Sequence, residues 1–248
     1  MAEVILLPRR QAVRKAAIFA MFLLFPVVLN YFSPYVIVDG AGQGIINGSF
    51  VVFAGMFVSA VFVGRLWCAW ACPAAGLQEA CFAANGKPAR GGRFDWIKWG
   101  IWIPWIGIIA FAAISAGGYR AVNLLHLTES GISVDEPLKY ITYYSVVGTI
   151  FLLSLIAGRR AFCHYGCWMA PFMVLGTRLK NVFKWPSLQL KVSENTCKQC
   201  KTCEANCPMS LEVSRMAQKG SMKNDEGILC GNCVDNCPNK MIEFSFKT

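Results

Sequence analysis

Seven of the twelve cysteines fall within 41 residues, from Cys197 to Cys237, and their spacing constrains this chain more than any other feature. The first run reads Cys197-Lys-Gln-Cys200-Lys-Thr-Cys203-Glu-Ala-Asn-Cys207-Pro208. This is the C-x2-C-x2-C-x3-C-P pattern in which three thiolates go to one iron-sulfur cluster and the fourth to a neighbouring one. A second run repeats the last three cysteines and the proline as Cys230, Cys233, Cys237 and Pro238, with Gly227 where its first cysteine would stand. Two-residue gaps curl a short loop so that three sulfurs point inward, and the proline turns the chain away after the distant ligand. Zinc sites also use paired C-x2-C, but they close with a second pair or with histidine and rarely carry the C-x3-C-P tail. Crossed ligation assigns Cys197, Cys200, Cys203 and Cys237 to a first 4Fe-4S cluster. The second site keeps Cys207, Cys230 and Cys233, which leaves a 4Fe-4S or a 3Fe-4S cluster open there.

A soluble ferredoxin is excluded by composition, because 55% of the 248 residues are hydrophobic and only 15% are charged. Four apolar stretches are long enough for a hydrocarbon core about 30 Å thick: Ala16 to Val38, Ile45 to Leu66, Trp96 to Ala116 and Tyr140 to Ala157. The first follows Arg9, Arg10, Arg14 and Lys15, but it is too long for a cleaved leader and lacks a small-residue cleavage site, so it reads as an anchor. Basic residues concentrate in the N-terminal arm and in the Arg65 to Lys98 and Arg159 to Lys184 connections, fourteen in all. The other two connections hold only Arg120 and Lys139. By the positive-inside rule, this places both termini and the cysteine-rich tail in the cytoplasm of a multi-pass inner-membrane protein. The net charge of +10 then belongs to a membrane-facing collar and calls for no nucleic acid. All cysteines fall on the reducing side, where thiols serve metals rather than disulfides.

The membrane part repeats itself. Gly64-Arg65-Leu-Trp-Cys68-Ala-Trp-Ala-Cys72-Pro73 closes the second stretch, and Gly158-Arg159-Arg-Ala-Phe-Cys163-His-Tyr-Gly-Cys167-Trp168 closes the fourth. The expected fold is a membrane all-α four-helix bundle of two parallel two-helix repeats over residues 1–185, followed by a small α+β bacterial-type ferredoxin module over 186–248. Continuous helix through each C-x3-C would stack its two thiols one turn apart, so Cys68, Cys72, Cys163 and Cys167 form a candidate further metal or cluster site. The competing reading is four packed free thiols, and Cys81 is read as a structural thiol.

These motifs resemble the membrane polyferredoxins of the NapH, MauN and NosR type, from about Ala16 to the C-terminus. Cys68, Cys72 and Pro73 match the family's C-x3-C-P motif; Trp168 and Gly227 depart from its pattern. The resemblance implies a quinol dehydrogenase or electron-relay subunit working with quinone and other redox subunits. The alternative is a factor that uses the paired thiolates to reduce or deliver a metal, since soft thiolates suit copper as well as iron. A third reading, an enzyme acting at the open iron of a three-cysteine cluster, lacks any acid-base constellation.

The remaining residues admit plainer readings. His164 is read as a loop-bonding side chain, a proton acceptor or a cluster ligand, and His126 as a solvated loop residue. With only these two histidines, on opposite faces, no haem is expected. Trp67, Trp70, Trp96, Trp99, Trp102, Trp168 and Trp185 read as an interfacial belt around any quinone headgroup. From Glu194 to Thr248 seven acidic residues balance seven basic ones, so the module is expected to dock, either on this chain's basic collar or on another subunit.

Overall fold

The structure is a computed structural model that describes residues 8–183, 186–193 and 197–247. Lys184, Trp185, Glu194, Thr248 and the domain boundary expected at 185 lie outside the described residues.

Two of the four apolar stretches form helices long and apolar enough to cross a membrane. They lie within Gly92–Ser115 and Lys139–Ala157. The first apolar stretch does not form a single rod. Helix α1 (Arg9–Leu23) gives way to α2 (Phe25–Val28), a 3-10 turn (Leu29–Phe32) and α3 (Pro34–Gly42), and the axis bends by 62° between α1 and the Phe25–Phe32 segment. Pro26 and Pro34 cause the break, because each removes a backbone donor and clashes with the preceding turn. Carbonyls flanking the breaks find side-chain donors: Trp168 Nε1 reaches Phe32 O at 2.9 Å and Trp105 Nε1 reaches Pro34 O at 3.1 Å. Ser133 N and Val134 N donate to Val27 O and Pro26 O, each at 3.1 Å, so the 117–138 connection seals the same gap. Irregular backbone at membrane depth survives only when its polar groups are satisfied in this way.

A three-residue strand β1 (Ile45–Asn47) precedes α4 (Gly48–Val63) and pairs in parallel with β2 (Ala121–Asn123). At about 1.5 Å per residue, the 16 residues of α4 span about 24 Å, short of a full crossing. Gly64 ends it at φ +59° and turns the chain into α5 (Leu66–Trp70) and α6 (Pro73–Ala80). The second half echoes the first. Helices α7 (Ile97–Ser115) and α8 (Lys139–Ala157) follow, and Gly158 ends α8 at φ +94° before α9 (Ala161–Tyr165) and α10 (Ala170–Phe183). No side chain fits at Gly158, where a Cβ would lie 2.4 Å from Lys87 O.

Helices α7 and α8 turn apolar side chains outward, with Phe111 73% and both Ile114 and Ile156 78% exposed. In a membrane, lipid covers these faces. Behind them α10 packs on α4 and α6 packs on α1, so each C-x3-C loop is followed by a helix returning to the core.

The C-terminal module pairs β3 (Ser187–Val192) with β4 (Ile242–Lys247) in antiparallel register. Between the strands lie the short helices α11 (Thr202–Ala205), α12 (Val213–Gln218) and α13 (Asn232–Asp235). The module docks on this chain's own basic collar. Arg10 pairs with Asp235, Arg178 with Asp225 at 2.8 Å, and Arg65 and Lys98 both pair with Glu226.

Candidate functional site: three cysteine groups around a buried charge network

The module's two cysteine runs share one backbone shape. Residues thirty apart adopt the same unusual conformation: Gln199 and Leu229, Lys201 and Gly231, and Ser210 and Lys240 all have φ between +49° and +77°. In each run the left-handed residue after the second cysteine position starts a four-residue helix that carries the third cysteine. One cavity is lined by Cys197, Cys200, Cys203 and Cys237 and lies near the surface, with Cys200 exposed. A second cavity is lined by Cys207, Cys230 and Cys233, all buried, together with Gly227. Burial pushes the Cys207 thiol up to about 11, so a bare thiolate is disfavoured there without a metal to take its charge.

The four cysteines of the membrane repeat also gather, by a different local geometry from that expected. The helix carrying Cys68 stops at Ala71, and Cys72 is extended at φ −81°, ψ 120°, because the residue before a proline avoids the helical region. Cys163 lies in α9, and Cys167 follows that helix's end at Gly166. Each C-x3-C is therefore a helix end plus a loop, not one helical face. All four thiols are buried, and Cys72 lies within electrostatic reach of Cys68, Cys163 and Cys167. Cys68 Sγ also touches Met173 Sδ at 3.7 Å. Cys81 is buried in the surrounding apolar core.

Each half reaches across to hold the other's loop. Gln78 on α6 accepts from Phe162 N at 3.1 Å and donates to Cys163 Sγ at 3.3 Å. Arg160 of the second half donates to Cys68 O at 2.7 Å. Arg160 also meets Glu79, its Nε at 3.1 Å, and Glu79 in turn takes Arg14 through two contacts of 2.7 and 2.8 Å. Burial alone would raise the Glu79 carboxyl, but Arg160 and Arg14 overcome it and hold it at about 2. The guanidinium of Arg160 lies within electrostatic reach of both Cys163 of the membrane repeat and Cys230 of the module's second group.

None of these charges was singled out from sequence. Glu79 carried a usable signal as a lone acid in the apolar Ala74 to Ala84 segment, which requires a buried cation nearby. Both histidines are more firmly held than a solvated loop residue would be. His164 is buried between Asp95 at 2.6 Å and Met209 O at 3.2 Å, and His126 meets Asp39 at 2.7 Å.

Comparison with known proteins agrees with this arrangement. A 4Fe-4S binding domain matches twice, at residues 48–90 and 141–186, once over each C-x3-C loop. A 4Fe-4S dicluster domain matches residues 189–239. These matches support a polyferredoxin of the NapH/MauN type. Among its relatives is the putative electron transport protein YccM of Escherichia coli, 25% identical over 215 residues that cover 82% of this chain and 57% of that protein. The methylamine utilization ferredoxin-type protein MauN of Paracoccus denitrificans is 24% identical over 83% of this chain and 70% of its own length. Protein RdxA of Cereibacter sphaeroides is 24% identical over 75% and 43%. This polyferredoxin thus spans little more than half the length of YccM and less than half that of RdxA. No solved structure matches it.

The residues fit the clusters that the family implies. Among the described residues no three His, Cys, Asp or Glu side chains are drawn together as for a single metal ion. A cubane spreads its thiolates wider than one ion does. Arg65 supplies a more direct sign: its Nε and Nη2 are buried without a partner, and Cys68, Cys163 and Cys167 lie within its electrostatic reach. Orphaned cationic donors beside three thiols suit an anionic thiolate-ligated group, which would give them acceptors.

Proposed function

We propose that this polyferredoxin is an integral membrane electron carrier, relaying electrons one at a time between a quinone pool and a partner oxidoreductase. Clusters held by Cys197, Cys200, Cys203 and Cys237, by Cys207, Cys230 and Cys233, and by Cys68, Cys72, Cys163 and Cys167 would supply the one-electron chemistry. The observation that carries this reading is the position of Arg160, which donates to the Cys68 carbonyl while lying within electrostatic reach of Cys163 and Cys230. It links the membrane cysteine group to the inner group of the module, and the exposed Cys200 marks the outer group as the entry or exit for a partner.

In this reading residues 1–185 form a four-span domain of two repeats, with the bent α1–α2 pair and the short α4 serving as the first and second spans. Residues 186–248 form the cytoplasmic module. The fourteen basic residues of the proposed inner segments support both termini facing the cytoplasm of the inner membrane. The quinone arm is supported by a mostly apolar cavity of about 660 Å³, within the range of small-molecule sites. Phe25, Leu29, Val146, Ile150, Phe162 and Trp168 wall it. Pro73 and Trp168, which directly follow Cys72 and Cys167, place one end beside the membrane cysteines.

Replacement of Cys68, Cys72, Cys163 or Cys167 by Ser, one at a time, tests the relay. Each variant should lose iron and quinol-driven reduction while the module's clusters remain. Pairing Cys68→Ser with Cys163→Ser should be little worse than either alone, because the site fails as a unit. Normal iron content and turnover in all four single variants would refute it. One observation favours the metal-handling alternative: the Cys68 thiol and Met173 thioether form a soft donor pair at 3.7 Å, which suits copper. Copper bound at the membrane cysteines in place of an iron-sulfur cluster that quinol can reduce would select that reading.

A further inference from the structure

The thirty-residue correspondence within the module fails at one side chain. Cys200 corresponds to Cys230, Cys203 to Cys233, Cys207 to Cys237, and Cys197 to Gly227. The backbone around Gly227 keeps the form of the complete run, with Leu229 and Gly231 matching Gln199 and Lys201. The second loop is thus shaped for a four-iron cluster but offers one thiolate fewer.

Nothing else in the cavity replaces the missing ligand. Among the described residues lining it there is no further cysteine and no histidine, aspartate or glutamate. Glu226, next to Gly227, is committed to Arg65 and Lys98. Met209, Met216 and Met222 present uncharged thioethers, which are weak partners for iron beside thiolate or imidazole, and Met216 Sδ already receives Asn224 Nδ2 at 3.7 Å. The charged side chains on the wall are Lys180 and Lys223. They oppose a fourth ferrous ion and favour an anionic three-thiolate cluster, whose charge they offset.

We propose that the second cluster of this chain is a resident three-iron cluster held by Cys207, Cys230 and Cys233, with no iron at the corner nearest Gly227. This inference rests on the reading of residues 197–237 as a two-cluster module.

The same geometry makes the assignment testable by adding a ligand. A Cβ at Gly227 would meet only Asn224 O, at 3.2 Å, and Gly227 is not among the positive-φ residues, so a cysteine fits after a shift of a few tenths of an ångström. The full chain, purified without oxygen, is examined by electron spin resonance in its oxidised and reduced states, with iron measured in parallel. A three-iron cluster is paramagnetic when oxidised and loses that signal on one-electron reduction, whereas an ordinary low-potential four-iron cluster shows the reverse. Wild-type protein should give about one oxidised-state spin per chain. That signal should survive incubation with ferrous iron and a reductant followed by reoxidation. In Gly227→Cys it should disappear, with a gain of one iron and of a second reduced-state signal. An oxidised wild-type protein without the signal but with two four-iron clusters in the module would overturn the inference and leave the two-cluster reading intact. Conversion of the wild-type signal by ferrous iron alone, or an unchanged signal in a folded Gly227→Cys protein, would also overturn it. Absence of any module cluster would overturn both readings.

Discussion

Glu226 should govern how tightly the ferredoxin module sits on the membrane part. Its carboxylate meets Lys98 Nζ at 2.7 Å and Arg65 Nη1, and both cations are fully buried while the carboxylate is only 17% exposed. Burial alone would raise this carboxyl, yet Arg65 and Lys98 hold it at about 2 against an ordinary 4.5. At about 1.36 kcal/mol per pH unit, that difference corresponds to a favourable interaction on the order of 3 kcal/mol. The value falls within the about 3–5 kcal/mol typical of breaking a buried ion pair from one side. Glu226→Gln keeps the shape and removes the charge, so docking should weaken by on the order of 100-fold. Iron held by the module should not change, because Glu226 ligates nothing. Hydrogen exchange of the amides from 222 to 229 reads the effect directly: they should exchange faster by up to that factor. Combining Glu226→Gln with Lys98→Met should be less harmful than the two effects summed, since one of the stranded cations is gone. Unchanged exchange in Glu226→Gln would show that apolar packing, not this clamp, holds the module.

Four other tests probe neighbouring parts of the molecule. Cys200→Ser should labilise the first cluster and with it the module's fold, since so small a domain has little apolar core of its own; unchanged iron and melting would contradict this. Glu79→Gln should strand Arg14 and Arg160, costing about 3–5 kcal/mol and lowering the thermal midpoint. Glu79 and Glu226 are both depressed to about 2, so their stabilisation is complete above 4.5 and is lost as pH falls towards 2; exchange protection between the cluster-loaded module and the membrane part should hold from pH 7 to 5 and decline below 4.5. A reporter fused after Thr248 should be active only in the cytoplasm, and periplasmic activity would reverse the proposed orientation.

What could be read from the sequence followed from how local each constraint is. Ligand spacing acts over a few bonds, so the cysteine groupings and the family were legible from the runs at Cys197, Cys230, Cys68 and Cys163. Hydropathy over a window is less local and misled at the first stretch. It counted Pro26 and Pro34 as ordinary members of an apolar run, whereas the chain breaks there and takes Trp168 and Trp105 as donors. Pro73 likewise forces Cys72 out of a helix, a signal that was present but outweighed by the one-turn spacing. The pairing of Arg14, Arg65, Lys98 and Arg160 with two carboxylates was not legible at all. It depends on which helices return to the core after each cysteine loop, and nothing within a few residues encodes that.

The two halves of the membrane part nevertheless show why the module is needed. Arg65 and Arg160 are equivalent in the repeat, each three residues before the first cysteine of its pair. Both are fully buried, and a buried guanidinium must find a carboxylate. Arg160 finds Glu79, on the helix that follows the other half's cysteine loop. The residue equivalent to Glu79 in the second half, ninety-five positions on, is Val174, so the membrane domain has no matching acid to offer Arg65. Glu226 of the module fills that role, one residue from the place where the second cluster lacks its cysteine. The docked module therefore completes the charge balance of the membrane repeat, and the same contact fixes its second cysteine group beside the membrane cysteines. Undocking would leave Arg65 buried and uncompensated beside the thiols of Cys68, Cys163 and Cys167, so docking of the module and the integrity of the membrane cysteine site are energetically coupled.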